Sequence, residues 1–150
     1  RIGMVGGAPE LIAEVLKVKS QMDSGMFKPL QLAAIEALRQ SPEWFEELNS
    51  EYVRRRVAAG RIFDTLGVTY DHDTAGLFLW GRVPSKHAEN GMTAGEVISE
   101  RVLRQAGVFM TPGFIFGKNG NDYIRISLCA KPEVLDRANI EIEKDINNIL

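Results

Sequence analysis

A long helix is predicted near the middle of the chain, and it separates two regions of different character. Ser41-Pro42-Glu43 is a strong helix start, because it combines an N-cap hydroxyl, a proline at the first helical position and an acid in the first turn. The helical pattern continues to about Asp64, a length of roughly 30–36 Å, and Gly67 ends it. Mainly helical patterns precede this element, whereas strands and helices mix after it. This order predicts an α+β domain that follows a long connecting helix.

The region before that helix begins abruptly. Arg1 to Val5 is predicted to form a short strand, with Gly6-Gly7 as the turn after it. Two helices should follow, one from Pro9 to about Lys19 and one from Pro29. Because the sequence has no initiator methionine and starts inside a predicted strand, we expect it to be a piece of a longer protein.

The region after the long helix contains short strands. Val68-Thr69-Tyr70 and Leu77-Phe78-Leu79-Trp80 have strand character, and the second is almost continuously apolar, which predicts that it is well buried. Val108-Phe109-Met110 is a further short strand, Asn119-Gly120 is a hairpin turn signal, and Tyr123 to Leu128 alternates as a strand should.

Two helices lie among these strands. Thr93 and Glu96 form a capping box for a helix that ends before Gly107. Pro132 begins a last amphipathic helix that runs to the C-terminus. Because each of these helices must bury its apolar face, we expect them to pack against the sheet.

Composition and charge narrow the classes of function. Of the 150 residues, 45% are hydrophobic and 25% charged, which is typical of a globular protein. The net charge of −2 gives no reason to expect nucleic acid or a membrane as a partner. Cys129 is the single cysteine, which agrees with a reducing, cytoplasmic location, and a buried packing role is expected for it.

Two polar clusters have simple structural interpretations. Asp71-His72-Asp73 lacks further His or Cys ligands at metal-binding spacing, so a solvated turn is favoured over a metal site. Arg54-Arg55-Arg56 lies near acids at helical spacings, so a solvated, ion-paired helix face is expected.

The most informative segment for function is Thr111–Leu128. One proline and three glycines fix a loop whose backbone must turn sharply and approach something closely. The strand that follows carries Arg125, with Ile124 and Ile126 facing the opposite way. A guanidinium in this position is suited to binding a carboxylate through two hydrogen bonds. The alternative is a surface arginine that lies in solvent or pairs with a nearby acid.

Four motifs in collinear order resemble the class I/II aminotransferases, which are fold-type I pyridoxal-phosphate enzymes. The glycine-rich loop with its arginine is similar to that family's substrate-binding segment, and Arg1-Ile2-Gly3 resembles the end of the family's lysine signature. The other two motifs resemble the stretch after that signature and the first strand of the small domain: Lys17-Val18-Lys19-Ser20 with Ser24-Gly25 and Pro29-x-Gln31-x-Ala33-Ala34, and Ala75-Gly76-Leu77-Phe78.

The resemblance implies roles for particular residues. Arg125 matches the arginine that binds the α-carboxylate of the substrate, and Arg1 matches the one that contacts the phosphate of pyridoxal 5'-phosphate. Phe114 and Phe116 precede Arg125 in a loop that would border the substrate pocket, and Phe114 is the candidate for shaping it. No residue here matches the Schiff-base lysine or the acid at the pyridinium nitrogen, which in the family lie upstream of Arg1. We therefore expect the isolated chain to be inactive.

The resemblance also implies an architecture and partners. Residues 1–45 would be the end of the large cofactor-binding domain, residues 46–66 a long interdomain helix, and residues 67–150 the C-terminal small domain, in which helices cover a small, mostly antiparallel sheet. The parent enzyme would be a homodimer that acts on an amino acid and a 2-oxo acid.

Three alternatives remain open from the sequence. A pyridoxal-phosphate-dependent carbon–sulfur β-lyase would share Arg125 and Arg1. An aminotransferase-like sensor domain of a transcription regulator would bind the cofactor without turnover. A small α+β ligand-binding module would require a natural start at Arg1.

Overall fold

The computed structural model describes residues 2–150, which form two compact units. The first unit ends at Glu46, and the second comprises Glu47–Leu150, so the division falls within the long helix. The order of the elements along the chain is α1 (Pro9–Met22), α2 (Lys28–Leu38), α3 (Pro42–Thr65), β1 (Thr69–Tyr70), β2 (Phe78–Arg82), α4 (Ala94–Ala106), β3 (Thr111–Pro112), β4 (Tyr123–Ser127), α5 (Pro132–Lys144) and α6 (Ile146–Ile149).

The first unit consists of α1, α2 and the beginning of α3. Each of the three helices starts with a proline in its first turn, where the missing N–H costs no hydrogen bond. Residues 2–8 are irregular, so the strand predicted through Val5 is wrong for the described residues; Arg1 lies outside them. None of residues 2–46 is buried, and a short strand there has no neighbour within the described part of the chain to complete its hydrogen bonds.

The long helix α3 begins and ends where the sequence predicts. The Ser41 hydroxyl accepts a hydrogen bond from the backbone N–H of Trp44 at 3.4 Å. Gly67 adopts a φ of 63°, which stops the helix at little steric cost. The apolar side of the last three turns enters the core of the second unit: Ala58, Ala59, Ile62 and Phe63.

The sheet has four strands in the order β1-β2-β4-β3, and all neighbours are antiparallel. Alternate residues of the two central strands face a core covered by helices, as the burial of Leu79, Ile124 and Ile126 shows. The capping box of Thr93 and Glu96 is present at the start of α4, which confirms that prediction. The helices α4, α5 and α6 contribute further buried side chains: Val97, Ile98, Val102, Leu135, Ile142 and Ile149. The α+β fold class is therefore confirmed.

The other face of the sheet is not covered within the second unit, and this corrects one prediction. The central strand β2 was expected to be well buried, yet Phe78 is 42% exposed and Trp80 37% exposed. The strand is apolar on both faces, but the helices of this unit pack on only one of them. The continuous apolar pattern of β2 therefore reflects a second apolar face that the helices of this unit leave open.

Three further predictions are wrong in detail. The strand expected at Val108-Phe109-Met110 forms instead at Thr111–Pro112. The hairpin turn expected at Asn119-Gly120 is part of a longer connection that contains two 3₁₀ turns. Cys129 is exposed rather than buried, because it comes after Leu128, where the buried residues that follow β4 end. No helix within residues 2–150 is both long and apolar enough to cross a membrane.

Candidate functional site

Arg125 lies on the open face of the sheet. It is in the middle of β4, between the buried Ile124 and Ile126, so the predicted orientation is confirmed. Its cross-strand neighbours are Trp80 on β2 and Thr111 on β3. The central position in the sheet fixes the backbone from which the side chain projects.

Two phenylalanine rings contact the guanidinium of Arg125. Its Cζ lies 4.1 Å from the ring centroid of Phe78 and 4.5 Å from that of Phe116. Trp80 meets the Phe116 ring edge-on at 5.7 Å and stacks on Tyr123 at 5.4 Å. These aromatic side chains and Arg125 form one continuous group on the open face, which we call the aromatic cluster.

The Arg125 side chain has no anionic partner within residues 2–150. Its Nε is buried and has no hydrogen-bond partner among the described residues. Arginines elsewhere behave differently: Arg61, for example, pairs with Asp136, and Arg101 pairs with Glu89 at 2.8 Å. A buried donor without a partner costs about 1–3 kcal/mol, and more when it is charged. An anionic ligand at Arg125 would recover that free energy.

The glycine-rich loop before Arg125 is held by contact between its own ends. A Cβ at Gly120 would overlap the carbonyl oxygen of Gly113, and a Cβ at Gly113 would overlap that of Gly120. Gly117 between them has a φ of 117°, which other residues rarely adopt. The prediction of a close backbone approach is confirmed, and the approach is to the loop itself. It places Phe116 against Arg125.

Phe114 occupies a different position. It belongs to the same 3₁₀ turn as Phe116, but it lines a separate groove of about 580 Å³ beside α4, together with Glu96, Leu103 and Phe109. The structure therefore brings Phe116, and not Phe114, into contact with Arg125. The role predicted for Phe114 stays a prediction.

A larger groove of about 830 Å³ follows α3, and its lining includes Leu48, Val57, Tyr70 and His72. Burial and the nearby charge of Asp64 raise the pKa of the Tyr70 hydroxyl, and the His72 ring lies 4.3 Å from the Tyr70 ring.

The two polar clusters of the sequence behave differently. In Asp71-His72-Asp73, an Asp71 carboxylate oxygen accepts a hydrogen bond from the Asp73 N–H at 2.9 Å, which is the turn expected there. In Arg54-Arg55-Arg56, Arg54 and Arg55 pair with Glu51 as expected. The expectation of a fully solvated face is wrong for Arg55, which also donates to the backbone carbonyls of Leu128 and Cys129 at 3.1 and 3.3 Å. Arg55 thus connects α3 to the end of β4, and nothing in the sequence pattern indicates this contact.

Within residues 2–150, no lysine is placed to attach pyridoxal phosphate covalently. Every lysine within residues 2–150 is exposed, and Lys17, Lys19 and Lys144 are engaged in ion pairs. A lysine that forms a Schiff base needs an enclosed setting that lowers its pKa or holds it against the cofactor. Arg1, the predicted phosphate ligand, lies outside the described residues.

One covered and one open sheet face, with a half-buried arginine on the open face, define the second unit as an α+β domain. Comparison with known protein families then places the chain. The model of the family "Aminotransferase class I and II" matches residues 1–141. The chain belongs to this family.

Individual relatives agree with this placement. The chain is 40% identical to the LL-diaminopimelate aminotransferase of Oleidesulfovibrio alaskensis over 92% of its own length and 34% of that protein, and 34% identical to the enzyme of that name from Aquifex aeolicus over 99% and 36%. Among solved structures, BacF from Bacillus subtilis in its apo form matches with a TM-score of 0.72 and 32% identity over 92% of this chain and 36% of that one. The chain thus spans about a third of the length of the relatives that it matches.

Proposed function

We propose that this chain is the carboxylate-binding portion of an aminotransferase that moves an amino group between an α-amino acid and a 2-oxo acid. The observation that carries the proposal is the Arg125 guanidinium, which is half-buried against two aromatic rings and has no acid partner within residues 2–150. Membership of the aminotransferase family supports the same activity.

The chemistry explains why one arginine serves both directions of the reaction. An α-amino acid and a 2-oxo acid each carry a carboxylate directly on the carbon that gains or loses nitrogen. A fixed guanidinium that binds this carboxylate through two charge-assisted hydrogen bonds therefore places the reacting carbon in the same position in both half-reactions. Arg125 binds and orients the substrate and takes no part in proton transfer.

The cofactor is proposed on the family resemblance. Pyridoxal phosphate, when bound, supplies an electron sink for the substrate carbon. We place its lysine in the part of the relatives' length that this chain does not match, and we assign a phosphate contact to Arg1. The same resemblance supports residues 1–45, 46–66 and 67–150 as large-domain segment, connecting helix and small domain, and a homodimer. The single cysteine, Cys129, supports a cytoplasmic location.

The names of the relatives suggest the first substrate to test. Several are called LL-diaminopimelate aminotransferases. We propose LL-diaminopimelate as the first amino donor to examine.

The test uses the full-length protein with Arg125→Gln and the matched control Arg82→Gln, since Arg82 is an exposed arginine on the same face of the sheet. Loss of two hydrogen bonds to a charged group should lower kcat/KM for the amino acid by about a hundredfold or more. The control should stay within about twofold of the wild type, because an exposed side chain contributes little.

Two results would reject parts of the proposal. An unchanged KM in Arg125→Gln would remove the assigned role from this residue. Ammonia release from a sulfur-containing amino acid without any 2-oxo acid acceptor would favour a β-lyase instead.

A further inference from the structure

We propose that Phe78 and Phe116 are positioning residues that hold the Arg125 guanidinium in one orientation before a carboxylate arrives. This inference rests on the proposed function, because it assigns the arginine a carboxylate ligand. Phe116 lies in the same glycine-rich segment as Arg125, whereas Phe78 lies on β2, and the joint contact forms only when the two segments meet in the fold.

The geometry shows two independent contacts on one cation. Phe78 is the first residue of β2, whereas Phe116 is the last residue of a 3₁₀ turn, and both rings lie within 4.5 Å of the Arg125 Cζ. A cation is attracted to the face of an aromatic ring through the ring quadrupole. This attraction does not use a conventional acceptor, so the N–H groups of the guanidinium stay available for a ligand.

Contact with the two rings reduces the conformational entropy that Arg125 would lose when it binds a ligand. Its long side chain has about 2 kcal/mol of rotamer entropy, which a ligand must otherwise overcome when it orders a mobile guanidinium. A side chain that is already held by neighbours loses less freedom on binding. Enclosure of the Nε, which is buried, agrees with a guanidinium that is fixed before binding.

The positions of the rings are themselves fixed. Phe116 contacts Trp80, which stacks on Tyr123, so the Phe116 ring is supported by side chains of β2 and β4. Phe78 is paired in register with Ser127 on β4, two residues from Arg125. The register of the sheet therefore fixes Phe78, and the glycine-rich turn fixes Phe116.

The experiment combines side-chain NMR with a binding measurement on the full-length protein. Arg125 Nε–H is observed in ¹⁵N-arginine-labelled protein and assigned with Arg125→Gln. Propionate, a simple monocarboxylate, is the binding probe. The variants are Phe116→Leu and Phe78→Leu, the conservative Phe116→Tyr, and the control Phe109→Leu, which changes a ring that is 68% exposed.

We expect the wild-type Nε–H signal to be displaced by the ring currents and slow to exchange with solvent. Either leucine variant should reduce both effects and weaken propionate binding by about three- to tenfold, in line with a cation–π contact. KM for the amino acid should rise by the same factor with a smaller change in kcat. Phe116→Tyr should restore both readouts, and Phe109→Leu should leave them unchanged.

Each contrary outcome has a distinct meaning. An Nε–H signal that is insensitive to both leucine substitutions would show that the two rings do not hold the Arg125 guanidinium. If the leucine variants lose the ring-current displacement and the slow exchange of Nε–H but bind propionate as tightly as the wild type, the positioning role alone would be overturned. Failure of propionate to bind even the wild-type protein would overturn the inference together with the proposed ligand of Arg125, while the NMR signal would still report whether the rings hold the guanidinium.

Discussion

At the scale of single residues, the site depends on Gly113 and Gly120, because neither has a Cβ atom. Each lies where a Cβ would overlap the backbone of the other, so the loop closes only because both are glycine. The 3₁₀ turn between them ends in Phe116, whose ring contacts Arg125. An atom added at either glycine must therefore move the turn or the strand.

Gly120→Ala is expected to destabilise the chain by about 1–3 kcal/mol, which is the usual cost of forcing one extra methyl group into a packed site. A thermal melt measures the loss. Gly6→Ala is the matched control, because nothing lies within 4 Å of a Cβ there. Equal melting temperatures for the two variants would show that the loop relaxes freely.

At the scale of elements, Arg55 joins α3 to the strand that carries Arg125. Its side chain is 19% exposed, bonds Glu51 at 2.8 Å and donates to the two carbonyls that follow β4. Arg54 shares the same acid but is 67% exposed, and its hydrogen bonds within residues 2–150 go to Glu51 alone. Arg54 therefore forms only a surface ion pair, whereas Arg55 also connects two elements of the fold.

Arg55→Met is expected to lower the free energy of unfolding by about 1–3 kcal/mol, because it leaves backbone carbonyls without their charged donor while keeping an apolar stem. Arg54→Met should cost less than about 1 kcal/mol, as exposed pairs do. Urea titration of both variants checks the difference. Equal midpoints would mean that solvent satisfies the carbonyls equally well.

The elements also show what the sequence can and cannot predict. The start of α3, the capping box of α4 and the alternation of β4 depend on neighbours within a few residues, and all three were predicted correctly. The exposure of β2 was not, because it depends on which face the helices cover. Arg125 could be singled out from its motif, but its ring contacts could not, since Phe78 lies 47 residues away along the chain.

At the scale of the whole chain, the two units differ in how much surface they bury. The second unit has a continuous core around Phe63, Leu79 and Ile124. Residues 2–46 contain no buried residue, although α1 and α2 carry many apolar side chains. Helices of 14 and 11 residues without a core are marginal in water even when their propensity is favourable, so the first unit should open far more often than the second.

Limited tryptic digestion of the 150-residue chain tests this difference, because both units offer exposed cleavage sites. Cleavage at Lys17, Lys19 and Arg39 should come first and leave a resistant product that contains residues 47–150. Lys86 and Lys118 are also exposed but lie in the second unit, so they serve as internal controls. Cleavage at those two sites at the same rate would contradict the view that stability is concentrated in the unit that carries Arg125. Slower cleavage there would show that the sheet face that carries Arg125 is built on the part of the chain that holds its own fold.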